Sequence, residues 1–426
     1  MEVVHECCAG FDVHKKTVMA CVRRMLEKGR IERQVREFGT MTADILALGD
    51  WLSGLGVTHV AMESTGVFWK PIWNLLEGSF EILLCNAQHI KKVPGRKTDV
   101  KDCEWIAQLL QHGLLRASFV PERDQRDLRD LTRNRAQLVQ DHTRVVNRVH
   151  KTLEDANIKL GSVATDIMGV SGRLMLESMI RGEMDPEKLA ELAQRRLRGK
   201  IPQLKPALEG RLREHHRFML EMLLDQLKSL EGLIRRAEVK IEEISCNSKL
   251  SVSGEENSKV PFDEAVRLLD TIPGINTVVA QGVVAEIGTE MGRFPTSGHL
   301  ASWAGMSPGN NESAGKRRSG KTTKGNRWLK TLLVQAAWAA ARTKNTYLQA
   351  QFRRLVGRRG KKRALVAVGH TILVMAYQML KNRTSYAELG PDYFDRLDPQ
   401  RTTRYLVKRL EALGHKVTLE PQQSVA

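Results

Sequence analysis

Eight apolar residues between positions 220 and 244 recur at alternating spacings of three and four, without a break. They are Leu220, Leu223, Leu227, Leu230, Ile234, Ala237, Ile241 and Ile244. Such a stripe is typical of a long helix that buries one face against another long helix in a coiled coil. A second stripe runs from Leu128 to Val149, and the polar residues Arg135 and His142 occupy two of its positions. We therefore predict a long helical coiled-coil arm in which these two residues set the register or face RNA. The seam favours a homodimer or homotetramer.

Before this arm, the sequence has the pattern of an α/β domain. Two strand-like runs lie in CCAGFDVHKKTVMACVRRM, and a third lies in GRIERQVREFGT after a turn at Gly29. A helix (TADILALGDWLSGLG), a strand (VTHVAMEST), a helix (VFWKPIWNLLEG) and a strand (FEILLCNA) follow. Three strands followed by alternating helices and strands is the order of a ribonuclease-H-like domain, with a mixed sheet and helices on its faces. We predict this domain over residues 1–124.

The arm and an insert between its two long helices are predicted over residues 125–260. Three prolines, Pro186, Pro202 and Pro206, should break the insert into short helices because proline removes a backbone donor from a helix interior. A polar stretch rich in Ser and Gly, SCNSKLSVSGEENSKVPFDE, is predicted to be the linker out of the arm.

A mostly α-helical C-terminal domain is predicted over residues 261–400, followed by a tail over residues 401–426. Near its start, the turn Pro273-Gly274-Ile275 separates two helical runs. This turn fits a helix–hairpin–helix, whose amides hold a DNA phosphate, and it fits a purely structural helical hairpin nearly as well.

The formal net charge of +18 and the sequence pI of about 9.8 restrict the class of partner. A surplus of this size favours phosphate backbones or anionic membranes. We find no apolar run close to the roughly 18–20 residues that cross a bilayer, so a nucleic acid is the expected partner. The first residues lack a basic leader with an apolar core, and the six cysteines include no C-x-x-C pair. We expect a cytoplasmic protein with reduced thiols.

Four carboxylates lie where strands end or a helix begins. Asp12 lies in the first strand region, and Glu63 ends the strand VTHVAME. Asp99 and Asp102 are three residues apart in a helix that we predict to start near Asp99, after Thr98 as its N-cap. Clustered acids repel one another unless a cation lies among them, and hard oxygen ligands suit Mg²⁺ or Mn²⁺. The set predicts a divalent metal site for strand cleavage, whereas each acid alone fits a surface charge or a cap.

The stretch ESAGKRRSGKTTKGN contains a full match to a nucleotide-binding loop. Residues 315–322 read G-K-R-R-S-G-K-T, the pattern G-x-x-x-x-G-K-[ST]. A true P-loop needs a hydrophobic strand directly before it and a helix directly after it. The preceding residues contain no strand-like run, and the next helix is predicted to begin only near Asn326–Trp328. We reject the NTPase and interpret the stretch as a mobile basic loop with glycines as hinges and five cations for a nucleic-acid backbone. The cations are Lys316, Arg317, Arg318, Lys321 and Lys324.

Taken together, these motifs resemble those of one family, the DEDD transposases of insertion sequences of the IS110 and IS1111 type. The N-terminal matches are GFDVHK with Asp12, MESTGVFWKP with Glu63 and RKTDVKDCEWIAQLL with Asp99 and Asp102. The C-terminal matches are IPGI, FPTSGHLASWAGMSPGNNESAGKRRSG and TTKGNRWLK. The resemblance covers nearly the whole chain, and the chain departs from it in the length of the insert.

The resemblance implies a bridge-RNA-guided serine recombinase with a resolvase-like DEDD domain and a C-terminal transposase domain. It implies that Ser313 in NESAG is the nucleophile that forms a covalent phosphoserine, whereas chemistry alone leaves Ser297, Ser307 and Ser319 as rivals. It implies that the acidic and serine sites act together across subunits. The implied partners are double-stranded DNA at the element ends and target, and a structured non-coding guide RNA. The implied location is the bacterial cytoplasm, in association with the nucleoid.

Two other functions fit the same residues. A metal-dependent nuclease of the Holliday-junction type would use the four acids for all of its chemistry, and Ser313 would only contact phosphate. A non-catalytic RNA-binding module with a coiled-coil arm would use the positive charge alone.

Overall fold

The computed structural model describes most of the chain as two compact units, Met1–Pro121 and Glu122–Ala426. The described residues are 2–26, 29–64, 66–90, 102–247, 260–309 and 311–420. At residues 88, 89, 246, 247, 311–313, 317 and 318 the description is of the backbone alone. The predicted linker falls largely outside the described residues, and the domain boundaries at residues 124, 260 and 400 stay predictions.

The first unit is built on a five-stranded mixed sheet. Its strands are β1 (Cys7–Val13), β2 (Thr17–Met25), β3 (Ile31–Gly39), β4 (His59–Glu63) and β5 (Glu81–Cys85). They lie in the order β3-β2-β1-β4-β5. The first three strands pair antiparallel, and β4 pairs parallel with both β1 and β5. This order of elements confirms the α/β prediction and is compatible with a ribonuclease-H-like domain.

Helices cover both faces of this sheet. They are α1 (Thr42–Gly54), α2 (Trp69–Leu76), α3 (Ala87–Ile90) and α4 (Asp102–Gln111). Phe11 of β1 packs with side chains of α1 and α2 on one face. Cys8 and Ala61 pack with Ile106 and Leu109 of α4 on the other. Alternate residues of β1 therefore belong to different cores, as the pleat of a strand requires.

Two long helices, α5 (Arg123–Asp155) and α10 (Glu214–Asn247), begin the second unit. The insert between them holds α6 (Leu160–Val163), α7 (Val170–Ile180), α8 (Pro186–Glu191) and α9 (Ile201–Leu208). Pro186 and Pro202 open α8 and α9, as expected of proline in a first turn. The prediction for Pro206 is wrong, because it lies inside α9. That helix ends two residues later, so few intrahelical bonds are lost.

The two long helices pack against each other within the chain, and they run antiparallel. Arg135 donates to Glu238 over 2.9 Å, and His142 lies 3.2 Å from Glu231. The residue numbers of the partners on α10 therefore decrease as those on α5 increase. The polar seam positions therefore pair across the two helices, which favours the register alternative over contact with RNA. The apolar seam packs on α5 of the same chain, so a dimer or tetramer, like supercoiling of the arm, stays a prediction.

In the rest of the second unit, the regular elements that the structure describes are helices and one small hairpin. The helices are α11 (Phe262–Asp270), α12 (Thr277–Ile287), α13 (Ser297–Trp303), α14 (Arg327–Ala340), α15 (Tyr347–Arg359), α16 (Lys361–Asn382), α17 (Tyr393–Leu397) and α18 (Pro399–Ala412). The hairpin strands are β6 (Asn311–Ser313) and β7 (Lys316–Ser319). Two apolar cores lie along the α5–α10 pair, one under the insert and one among the C-terminal helices.

The expectation about apolar runs is wrong for α16. By length and mean hydropathy this 22-residue helix could cross a membrane, and more than half of its most apolar window is buried inside the protein. It packs against α11, α13, α14 and α15. A helix surrounded in this way is apolar on most of its faces, which explains the composition.

The turn at Pro273-Gly274-Ile275 lies against α14. Gly274 has a φ of +91°, and a Cβ there would come within 2.5 Å of the Ala336 carbonyl oxygen and the Ala340 nitrogen. Glycine is required for this close approach and this conformation. The turn is thus used for packing between helices, which favours the structural hairpin over the phosphate-binding one.

Candidate functional site

Asp12 is the last residue but one of β1, and Glu63 is the last residue of the neighbouring parallel strand β4. The register of β1 and β4 pairs Gly10 with Ala61 and Phe11 with Met62. The same register places Asp12 opposite Glu63, one residue further along both strands. Paired residues of adjacent strands point to the same face, about 4.8 Å apart. Two acidic residues that the sequence separates by fifty residues are therefore placed beside each other on one face of the sheet.

The helix that carries Asp102 lies on the face to which these carboxylates belong. A Cβ on Gly10 would meet the Ala107 nitrogen at 2.3 Å and the Cys103 carbonyl oxygen at 2.5 Å, so α4 rests directly on β1. Cys8 contacts the Ala107 carbonyl, whereas Gly10, further along β1, lies against the Ala107 nitrogen and the Cys103 carbonyl. The contacts therefore shift towards the start of α4 as β1 proceeds. The first residue of α4, Asp102, thus lies towards the Asp12 end of the strand.

The remaining predicted acid, Asp99, lies outside the described residues, so its place on the same helix face stays a prediction. A residue that we did not predict, His14, lies in the β1–β2 turn with its Nε2 3.2 Å from Oδ2 of Asp12. The spacing D-x-H across a tight turn was the available signal. The donor set of Asp12, Glu63 and Asp102 consists of carboxylate oxygens, which fits a hard divalent cation such as Mg²⁺ or Mn²⁺.

The serine stretch is a β-hairpin, which corrects the prediction of a loop without strands. Ser313 ends β6 and pairs with Lys316 of β7, with a bulge before Glu312. The two-residue turn has positive φ at both Ala314 (+51°) and Gly315 (+71°), the conformation of a type I′ turn. Glycine adopts it readily, and alanine adopts it at a cost. Residues 316–319 are an extended strand and α14 begins only at Arg327, so the P-loop is excluded as predicted.

The base of this hairpin is held closed by its backbone. Pro308 bridges to Thr322, and the Gly309 N–H donates to the Lys321 carbonyl over 2.8 Å. A Cβ on Gly325 would meet the Gly305 nitrogen at 2.3 Å. Gly325 is therefore required for a close backbone approach, which corrects its interpretation as a hinge.

The predicted phosphate partners lie along the hairpin and the segment after it. Lys316, Lys321 and Lys324 are exposed, whereas Arg317 and Arg318 lie in β7 with side chains outside the description. Lys330 Nζ donates to Thr322 Oγ1 over 2.6 Å, which ties this segment to α14.

A buried carboxylate, Glu286 on α12, anchors the start of α14 and was missed by the sequence analysis. Arg133 donates to both of its oxygens, over 2.7 and 2.8 Å. Asn326 donates its Nδ2 to Oε2 of Glu286, and its Oδ1 caps α14 by accepting from the backbone of Trp328. The one acid in the apolar run TVVAQGVVAEI was the signal for this site.

A second group of possible metal ligands lies where α5 ends and α10 begins. Ligand-type atoms of Asp155, His215 and His216 come within 4.8 Å of one another. Nδ1 of His216 accepts from the Arg213 backbone over 3.2 Å, and its Nε2 lies 2.7 Å from Asp155. The bond from His216 lowers the pKa of Asp155. Because both nitrogens of His216 are engaged in these contacts, the group is better explained as a polar contact that joins the ends of the two helices than as a metal site.

Comparison with known proteins identifies relatives over both units. The model of a family described as a transposase, of the DEDD type of IS110, matches residues 9–158. The model of the transposase IS116/IS110/IS902 family matches residues 266–353. The two matched segments contain all four predicted acids and Ser313.

Two curated relatives extend over most of the chain. A probable family 20 transposase of Pseudomonas aeruginosa is 26% identical over 382 residues, which cover 88% of this chain and 94% of the relative. The transposase for insertion sequence element IS1111A of Coxiella burnetii is 23% identical over 344 residues, which cover 79% of this chain and 81% of the relative. Family membership implies a divalent metal and an enzyme that cuts and rejoins DNA. The chain belongs to the IS110 family of insertion-sequence transposases.

Proposed function

We propose that this transposase cuts and rejoins double-stranded DNA through a covalent phosphoserine at Ser313, guided by a structured RNA that its element encodes. Asp12, Glu63, Asp99 and Asp102 assist as holders of Mg²⁺ or Mn²⁺. The observation that supports this most is the parallel register that brings Asp12 beside Glu63, with the start of α4 towards the same end of the sheet. A carboxylate set of this kind is suited to phosphodiester chemistry.

The acids and their neighbours have separate roles in the proposal. Asp12 and Glu63 supply oxygen ligands from rigid strand ends, and Asp102 supplies one from the first turn of α4. His14 orients Asp12 through their 3.2 Å contact. A bound divalent metal would neutralise charge on the phosphate oxygens as it builds during cleavage.

The serine step is a transesterification. The Ser313 oxygen forms a bond to phosphorus, and the bond from phosphorus to one deoxyribose oxygen breaks. The serine proton leaves to solvent, and the released deoxyribose oxygen takes up a proton. Exposed cations of the hairpin and of the segment after it, Lys316, Lys321 and Lys324, favour the developing negative charge. The phosphoserine keeps the energy of the ester, so a second deoxyribose hydroxyl rejoins the strand in the reverse reaction without ATP.

Substitution of the serine tests this proposal. With a labelled element-end duplex and the guide RNA, the wild type should form a protein–DNA adduct that survives denaturation, followed by recombinant junctions. Ser313→Ala should lose both by more than about a hundredfold while its DNA and RNA binding stays within about twofold. The matched controls, Ser307→Ala and Ser319→Ala, lie in the same segment and should retain the adduct. Normal junction formation by Ser313→Ala would refute the serine mechanism.

The alternative function is a metal-dependent nuclease of the Holliday-junction type without a serine nucleophile. It is favoured by the same pair of strand-end carboxylates, which need no serine in order to direct water at a phosphate. In that case Ser313→Ala would still cut junction DNA, the products would carry no protein, and Asp12→Asn would be inactive. Loss of cutting in both variants would favour the recombinase.

Guide RNA and assembly are proposed on the family membership and on the charge of +18. Sequencing of RNA that co-purifies with the protein should recover a structured transcript from the non-coding end of the element. Absence of any enriched RNA would favour an RNA-free recombinase. A homodimer or homotetramer should be visible by light scattering, and it needs a surface other than the seam that α5 covers.

A further inference from the structure

The net positive charge of the protein arises from one continuous segment. From Ser313 to Ala387 the chain has 18 lysines and arginines and no aspartate or glutamate. The other 351 residues carry 49 basic and 49 acidic side chains, so their formal charges cancel. The segment starts at the proposed nucleophile and runs through α14, α15 and α16. Solubility would be served by charge spread over the whole surface, so this confinement indicates a binding function.

The densest part of the segment lies far along the chain from the hairpin, at the turn between α15 and α16. Seven cations lie there within eleven residues, and all seven side chains are exposed. They are Arg353, Arg354, Arg358, Arg359, Lys361, Lys362 and Arg363; we call them the α15–α16 cation cluster. Among the residues that the structure describes, none of the seven forms an ion pair. Gly357 and Gly360 have nothing within 4 Å of an added Cβ, so this turn is open to solvent.

Helix physics does not explain the position of these cations. Arg358 and Arg359 end α15, where the helix dipole favours positive charge. Lys361, Lys362 and Arg363, however, open α16, where it favours acids and where the first turn contains none. Each misplaced charge costs roughly 0.3–1 kcal/mol at low salt. Cations retained at an unfavourable end of a helix, with no ion pair to an acid in the described part of the chain, are available for an external anion.

The surroundings of the cluster favour a sugar–phosphate backbone over bases or lipid. No large apolar side chain between residues 313 and 387 is exposed in the described part of the segment. Its aromatic rings are covered: Lys361 Nζ lies 4.6 Å from the ring centre of Trp338, and Tyr347 stacks on Phe394. Single strands need free rings for stacking, and membrane surfaces need apolar side chains to insert. Flexible exposed cations alone suit the phosphates of a duplex.

We infer that the α15–α16 cation cluster binds the backbone of double-stranded DNA, without regard to sequence, beyond the part of the duplex that the Ser313 hairpin contacts. The inference rests on the proposed function in its choice of DNA over duplex RNA and in the contact of the hairpin with the same duplex. The hairpin precedes α14, and Lys361 of the cluster lies over Trp338 near the other end of that helix, so we place the hairpin and the cluster at different points along one duplex. It supplies affinity and position, and it carries no chemistry.

Neutralisation of four charges tests the inference. The variant Arg358→Gln/Arg359→Gln/Lys362→Gln/Arg363→Gln leaves Arg354 and Lys361, which lie over aromatic rings, in place. The matched control neutralises four exposed cations of α18: Arg401→Gln/Arg404→Gln/Lys408→Gln/Arg409→Gln. Binding to a random 40-base-pair DNA duplex is measured by fluorescence anisotropy between 50 and 300 mM salt. Both variants carry Ser313→Ala, so that no covalent adduct forms.

Each lost phosphate contact should reduce the salt slope of log K by about 0.9. We expect the slope of the cluster variant to fall by roughly 2–4 and that of the α18 variant by less than about 1. The two variants should melt within a few degrees of the parent, because every changed side chain is exposed. If the four-residue variant is unfolded, Arg358→Gln/Arg359→Gln alone should reduce the slope by about half as much. Equal slopes for the cluster and control variants would overturn the inference.

Parallel titrations separate the possible partners. A loss confined to a 40-base-pair RNA duplex would assign the cluster to RNA, and a loss confined to vesicles with anionic lipid would assign it to membranes; either would overturn the DNA inference. The result is independent of the serine mechanism. Should Ser313→Ala recombine normally, the proposed function fails, yet a reduced DNA salt slope would still support the cluster.

Discussion

The guanidinium of Arg133 donates to both carboxylate oxygens of Glu286, in a fork with distances of 2.7 and 2.8 Å. The carboxylate is almost fully buried, and Arg129 also faces it at 3.4 Å. Burial lowers the pKa of Arg129 to about 10, and the charge of Glu286 opposes that shift. Two arginines of α5 thus depend on one acid of α12, which also holds Asn326 at the start of α14.

Removal of that acid should destabilise the second unit strongly. In Glu286→Gln the two arginines keep their charge but lose the buried carboxylate that they share, and removal of one partner of a buried ion pair typically costs about 3–5 kcal/mol. Chemical denaturation followed by circular dichroism should show this loss. The surface acid Glu290, which pairs with Arg293 at 2.7 Å, is the control, and Glu290→Gln should cost less than about 1 kcal/mol. Equal effects of the two changes would contradict the buried network.

Gly10→Ala should separate α4 from the sheet and reduce activity. The new methyl group would lie 2.3 Å from a backbone nitrogen of α4, and a backbone atom cannot rotate away. Overpacking of this kind costs about 1–3 kcal/mol and would move Asp102 relative to Asp12. Gly78→Ala is the matched control in the same unit, because nothing lies within 4 Å of its added Cβ. Strand-transfer rate and thermal melting should fall for Gly10→Ala alone.

The α/β unit was predictable because its strands alternate and its turns contain glycine. The two strand-end acids could also be paired from the sequence, since parallel strands that follow this order bring their carboxyl ends to one edge. The partner of the apolar seam could not be predicted. A heptad stripe has the same pattern whether it packs on its own chain or on another, and only the insert between α5 and α10 allows the chain to fold back.

The hairpin at Ser313 was missed for a different reason. Strand β7 is KRRS, which has little strand propensity. The two strands therefore depend on the turn conformation of Ala314 and Gly315 and on the close backbone approach of Gly305 and Gly325 at the base of the hairpin. Contacts between residues distant in sequence decide such a structure. Glu286 was missed because a single acid in an apolar helix does not indicate which cations will cover it.

A charge reversal should reveal the register of the two long helices. Arg135→Glu places an acid opposite Glu238, and Glu238→Arg places a cation opposite Arg135. Each change brings like charges together and should lower the free energy of unfolding by about 1 kcal/mol or more. The double variant restores opposite charges across the pair and should recover part of the loss. The coupling is measured by a double-mutant cycle on denaturation midpoints. Purely additive effects would show that the contact does not help to set the register.

Four buried thiols should resist modification. Burial raises the pKa of Cys8 and Cys21 to about 12 and that of Cys85 to about 11, and Cys103 is fully buried. At pH 8 a thiol reagent should react rapidly with at most two of the six cysteines, and with all six in guanidinium. Between about pH 9 and 12 the unfolded chain loses these protons while the folded chain keeps them, so stability should fall as pH rises. Rapid reaction of three or more thiols in the folded protein would contradict this packing.

Metal removal should stop strand transfer and leave DNA binding largely intact. In chelator, the carboxylates at the ends of β1 and β4 would repel each other, and the phosphate would lack a counter-charge. Addition of Mg²⁺ or Mn²⁺ should restore the rate, and Ca²⁺ should support binding better than turnover because it prefers more ligands and looser geometry. Asp12→Asn should shift the Mg²⁺ requirement upwards or remove activity, whereas Asp44→Asn, at the start of α1, should change neither. Full strand transfer in chelator would show that the four acids hold no catalytic metal.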